Sequence, residues 1–113
     1  MTRFSEAVAR LSATIAARQG TDPDSSYTAQ LLAQGIERPA KKFGEEAVEV
    51  VIAAIQGNPD SLAAESADLV YHFLVLLTAA GVSLDAVAAK LEAREGTSGL
   101  AEKAARNPEN EPG

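Results

Sequence analysis

Apolar residues fall at helical spacing along most of the chain, and Gly and Pro interrupt them at only a few places. Over residues 3–19, Phe4, Val8, Leu11 and Ile15 recur at intervals of four, three and four. That spacing predicts one buried stripe on a first helix. Arg10 and Arg18 sit in its C-terminal half, where the helix dipole favours them, and Gly20 ends it. The polar loop GTDPDSS at 20–26 follows. Ser25 or Ser26 then caps a short helix from Tyr27 to about Gln34, anchored by Leu31 and Leu32 and stopped by Gly35. The next helical stretch is Ile36–Ile55. Pro39 is tolerated only in a first turn, so regular helix starts at Glu37 or Arg38.

Asn58 as N-cap and Pro59 at the first helical position open a second long helix, which runs to Ala80 and stops at Gly81. Leu62, Leu69, Phe73, Leu76 and Leu77 supply its apolar surface, while Val70 and Leu74 fall on the opposite side. A helix apolar on both sides in so short a chain predicts a second subunit. Ser83 caps a further helix over Leu84–Glu95, with Val87 and Leu91 inward and Lys90 and Arg94 near its end. Gly96 ends it, and a short helix Leu100–Arg106 follows. The expected fold is all-α, a helical bundle completed by dimerisation. Residues 1–106 form its single domain, and NPENEPG at 107–113 is a disordered tail.

Two stretches carry the chemistry: KKFGEEAVEVVIAAI at 41–55 and ESADLVYHFLVLL at 65–77. At about 100° per residue, Glu46 and Glu49 lie about 60° apart on one side of the first helix. Glu65 and Asp68 do the same on the second. Lys42 and Ala53 extend the first stripe, and Ser61, His72 and Leu76 extend the second. Acidic side chains are rarely buried without a partner. A hard divalent ion held between the helices by oxygen ligands would neutralise them. The alternative is an acidic outer face in solvent. Glu45 either borders the site and acts on a water, or faces solvent.

His72, i+4 from Asp68, fits a core or hydrogen-bonding residue better than a ligand. Lys41 and Lys42 sit in early turns, where cations are mildly unfavourable; a phosphate ligand accounts for them, as does simple solvation. Gly44 either admits close approach of a ligand or another helix, or is merely tolerated.

Ten basic residues against 16 acidic give a formal charge of −6, which argues against non-specific nucleic-acid binding. A small phosphorylated ligand remains compatible, since bound cations supply local positive charge. The chain has no Cys, which removes disulfides, thiolate metal sites and cysteine nucleophiles. The N-terminus lacks the apolar core of a signal peptide. The apolar run FLVLLTAAGV at 73–82 is too short to span a bilayer. A soluble cytoplasmic protein, with no membrane partner, is the expectation. No internal repeat and no Gly-rich nucleotide loop is found.

The order EExxE, here Glu45, Glu46 and Glu49, followed by ExxD, here Glu65 and Asp68, resembles the all-alpha nucleoside triphosphate pyrophosphohydrolases. Within them the chain is most similar to the phosphoribosyl-ATP pyrophosphohydrolases, which act at the second step of histidine biosynthesis. SYTAQLLAQG at 26–35, KKFGEEAVE at 41–49, ESADLVYHFLVLL at 65–77 and SGLAEKAAR at 98–106 carry the similarity, which covers most of residues 5–106. The resemblance implies a helical homodimer with Mg²⁺ held by Glu46, Glu49, Glu65 and Asp68. It implies that Glu45 binds or orients the attacking water, and that Lys42 and the Ser26–Tyr27–Thr28 segment lie near the substrate. Arg94, Lys103 and Arg106 are further candidates for contacts with phosphate or with the second subunit.

The implied reaction is hydrolysis between the α and β phosphates, yielding phosphoribosyl-AMP and pyrophosphate. Mg²⁺ would lower the pKa of bound water and neutralise the leaving group. Glu45 or a ligand such as Glu49 would take the proton, and Lys41 and Lys42 would stabilise oxygens that gain charge. A separate phosphoribosyl-AMP cyclohydrolase must supply the next activity, because no such domain fits this length. Rival functions are a general (d)NTP pyrophosphohydrolase and a non-enzymatic metal-binding helical dimer. A ferritin-like di-iron protein calls for Glu-x-x-His pairs, which the sequence lacks.

Overall fold

The computed structural model describes residues 2–95. Helices α1 (Arg3–Arg18), α2 (Tyr27–Ala33), α3 (Glu37–Gln56), α4 (Pro59–Ala80) and α5 (Leu84–Ala93) follow one another, with a 3₁₀ turn at Pro23–Ser25 before α2. No strand occurs among the described residues. The chain forms two compact units, Met1–Val82 and Ser83–Gly113; α5 belongs to the second. The expected helix at Leu100–Arg106 and the tail at 107–113 lie outside the described residues.

Local chemistry accounts for the helix ends. Thr2, Ser26, Asn58 and Ser83 each accept a backbone N–H in the first turn of the helix they precede. Asn58 accepts twice, from Asp60 at 3.1 Å and Ser61 at 3.2 Å. Of the two expected caps for α2, the structure uses Ser26; Ser25 Oγ instead donates to the Asp22 carbonyl. Ile36 precedes α3 with no side-chain cap. Pro39 is buried at the third helical position, where a helix has no internal acceptor for the missing N–H. The α3–α4 turn needs a left-handed residue, and Gly57 supplies it at φ +73°.

α3 and α4 form the most extensive pairing, with α1 and α2 packed against α4. Phe43 and Phe73 meet across the pair, ring centroids 5.7 Å apart. Ile15, Leu31, Pro39 and Val75 are fully buried, with Ala29, Ala53, His72 and Leu74 around them. Gln19 Nε2 donates to the Thr78 carbonyl and ties the end of α1 to α4.

Several burial expectations fail. Of the α1 stripe only Ile15 is buried, and Phe4 is 67 % exposed. The small Ala63, Ser66 and Ala67 opposite leave a groove of about 340 Å³ beside Phe4, Val8 and Leu11 instead of filling it. Within the single chain α4 is buried at His72, Leu74 and Val75. Leu91, expected inward, is 61 % exposed. On α3, Val48, Val51, Ile52 and Ile55 form an exposed apolar stripe.

The ten-residue run judged too short for a membrane is part of a 22-residue helix, long and apolar enough by length and composition to cross one. It carries Asp60, Glu65 and Asp68 and packs against α1, α2 and α3.

Replacing Asn58 with Ala removes both cap bonds at the start of α4. The expected loss is about 1 kcal/mol of stability, a fall in Tm of about 4–8 °C for a domain of this size. A thermal melt checks it.

Candidate metal centre

The EExxE and ExxD stretches lie on the paired helices α3 and α4, which the Gly57–Asn58 turn makes antiparallel neighbours. Carboxylate oxygens of Glu46, Glu65 and Asp68 come within 4.8 Å of one another. Glu49 is not in that group, nor is His72. Glu49 is still close enough for its charge to act on Glu65. Glu46 and Glu65 are partly buried, whereas Asp68 and Glu49 are exposed. In the single chain the site is therefore an open acidic surface between two helices. Two helices alone cover only one side of their shared face.

Electrostatics record the crowding. Desolvation pushes the Glu65 carboxyl up from its ordinary 4.5, and the neighbouring charges of Glu46, Glu49 and Asp68 push it further. Between 4.5 and this raised value the folded chain binds more protons at Glu65 than the unfolded chain. Stability from this group thus declines as pH rises through that window. All three clustered residues offer hard oxygen donors, the ligand type that Mg²⁺ and similar ions prefer. The donor set fits such an ion.

Around the acids, Lys42 Nζ lies 3.5 Å from Glu45 Oε1, one turn apart on α3. Lys41 is exposed, and Lys42 is partly buried. A Cβ added at Gly44 would meet nothing within 4 Å among the described residues. Arg94 follows α5 in the second unit, and Lys103 and Arg106 lie outside the described residues.

His72 is 6 % exposed, and its Nδ1 has no hydrogen-bond partner among the described residues. Burial holds its imidazole below the usual range; Lys42 adds to the depression, and Glu46, Asp68 and Glu45 oppose it. Its ring lies edge-on to Tyr71 at 4.9 Å and to Tyr27 at 6.4 Å. Thr28 Oγ1 and the Tyr71 hydroxyl share a hydrogen bond of 2.6 Å. The Ser26–Thr28 segment is thus fastened to α4 one turn beyond Asp68. Sequence reasoning gave Tyr71 no role; its position three residues after Asp68 was the available signal.

A family model described as phosphoribosyl-ATP pyrophosphohydrolase matches residues 8–95. The chain is 65 % identical over 106 residues to the phosphoribosyl-ATP pyrophosphatase of Caulobacter sp. strain K31, spanning 94 % of this chain and 98 % of that protein. It is 62 % identical over 97 residues to the enzyme of that name from Cereibacter sphaeroides strain KD131, spanning 86 % and 94 %. With the Dinoroseobacter shibae protein of the same name it shares 60 % over 99 residues, spanning 88 % and 97 %. The match of both acidic motifs' helices within one family model, and of nearly full-length relatives, makes this chain a member of the phosphoribosyl-ATP pyrophosphohydrolase family.

Proposed function

We propose that the chain hydrolyses phosphoribosyl-ATP to phosphoribosyl-AMP and pyrophosphate, the second step of histidine biosynthesis, with Mg²⁺. The observation that carries this is the convergence of Glu46, Glu65 and Asp68 from α3 and α4, in a chain whose relatives carry that activity in their names. Glu46, Glu49, Glu65 and Asp68 hold the ion, Glu49 turning inward from its exposed position. When bound, the ion neutralises and orients the triphosphate.

Water is the nucleophile, since no Cys is present. Its oxygen bonds to phosphorus as the α–β bridging bond breaks, and pyrophosphate leaves with the bonding electrons. Glu45 or Glu49 accepts the proton. Lys41 and Lys42 on α3 stabilise oxygens that gain charge, and Arg94, Lys103 and Arg106 contact phosphate or a second subunit. The enzyme works as a soluble cytoplasmic homodimer, and a separate cyclohydrolase consumes its product. The exposed stripe Val48, Val51, Ile52 and Ile55 on α3 supports the dimer, because apolar residues at helical spacing on one face suit a partner helix.

Pyrophosphate release from phosphoribosyl-ATP, compared with release from ordinary dNTPs, tests the reaction; equal or faster turnover of dNTPs would favour a general pyrophosphohydrolase. Glu49→Gln and Glu65→Gln should each lower turnover by at least about a hundredfold, equivalent to about 2.7 kcal/mol in the barrier, while circular dichroism stays helical. Unchanged turnover in either would remove that residue from the site. In EDTA at pH 7, Glu65→Gln should melt at or above the wild-type temperature, because the variant loses a destabilising charge. Added Mg²⁺ should raise the wild-type Tm more than the variant's; equal shifts would exclude Glu65 as a ligand. In analytical ultracentrifugation, Val51→Asp with Ile55→Asp should convert a dimer to a monomer. A wild type that is already monomeric would refute the dimer.

A further inference from the structure

Three aromatic or hydroxyl side chains follow one another at Ser26, Tyr27 and Thr28, and the fold uses them differently. Ser26 Oγ accepts the Ala29 N–H at 3.0 Å and starts α2. Thr28 Oγ1 is bonded to the Tyr71 hydroxyl at 2.6 Å. Tyr27 keeps a ring that is 49 % exposed. The chain has no Trp, three Phe and two Tyr. Among the described residues, Phe4 and Tyr27 are the exposed aromatics, and Phe4 lines the α1–α4 groove.

Tyr27 is set against His72, ring centroids 6.4 Å apart and planes at 90°. His72 is in turn set against Tyr71 at 4.9 Å and 76°. In this arrangement the rim of one ring meets the face of the other, and about half of Tyr27 still meets solvent. His72 is one helical turn from Asp68, a member of the acidic cluster. Tyr27 is thus an exposed aromatic side chain whose segment is fastened at two points to α4, one turn beyond Asp68. A purine offers a flat π-face that stacks on an aromatic side chain.

We propose that the exposed face of Tyr27 is the platform on which the purine base of the nucleotide stacks, and that Tyr71, through its hydrogen bond to Thr28, is the positioning residue that holds it there. This rests on the proposal that the acidic centre works on a purine nucleotide. His72 fixes the Tyr27 ring by their edge-to-face contact. Tyr71 touches no substrate; its effect passes entirely through the α2 segment.

The test is a set of variants assayed for KM and kcat with phosphoribosyl-ATP and Mg²⁺. Tyr27→Ala should raise KM by about tenfold or more, and Tyr27→Phe should restore most of the loss, because the ring and not its hydroxyl carries the contact. Tyr71→Phe keeps the ring against His72 and removes the hydroxyl; KM should rise about three- to tenfold, the effect of one net hydrogen bond, with kcat within about twofold. In the Tyr27→Ala background, Tyr71→Phe should add nothing further, since a positioning residue has no effect once the group it positions is gone.

An unchanged KM in Tyr27→Ala, or a Tyr71 effect that persists undiminished in that background, would overturn the proposal. A Tm that falls in Tyr71→Phe while KM stays at the wild-type value would leave the bond a structural one and also overturn it. Wild-type protein that releases no pyrophosphate would defeat the proposed reaction instead. In that case ATP affinity measured by calorimetry on the same variants decides the platform, with weaker binding in Tyr27→Ala as its support and unaltered binding as its refutation.

Discussion

Three carboxylates from α3 and α4 lie close enough to repel one another, and the packing of those two helices keeps them there. Phe43 meets Phe73 across the pair, and Ala53 of α3 is buried. The charges of Glu46, Glu49 and Asp68 add to the desolvation that raises the Glu65 carboxyl. A fold that gathers like charges gives up stability at neutral pH unless something positive joins them. The site is thus a place where the scaffold opposes its own charges, a frequent sign of function.

α2 gives the acidic face a neighbour. Its helix is only seven residues long and could not hold itself in place by helix propensity alone. Ala29 and Leu31 bury one side of it, and the Thr28–Tyr71 bond and the Tyr27–His72 contact fasten its first turn to α4. The same helix, α4, therefore carries two of the acids and the two residues that set the α2 segment beside them. Any shift of α4 would move both together.

Much of the apolar surface is left over. The α3 stripe and the α1–α4 groove are both exposed in one chain, and the buried core is confined to a few residues around Ile15, Leu31 and Val75. A chain of this length buries a smaller fraction of its surface than a larger domain does. The failed burial expectations for Phe4 and Leu91 share one cause: periodicity shows that a side chain is apolar and on a given face, but not what lies opposite. Opposite Phe4 stand Ala63 and Ala67, too small to close the contact.

The amino-acid sequence by itself determined the helices, their caps and the turns between them, because each depends on residues within about four positions of one another. Asn58, Pro59 and Gly81 mark the ends of α4 where the structure has them. It also determined that Glu46 and Glu49 share one helix face and Glu65 and Asp68 another. Tertiary structure decided the rest. It brought Glu46, Glu65 and Asp68 together while leaving Glu49 outside the tight group, and it paired Thr28 with Tyr71 across 43 positions of chain. Such distances follow from how two helix surfaces fit, which involves every side chain at the contact and has no signature in local spacing.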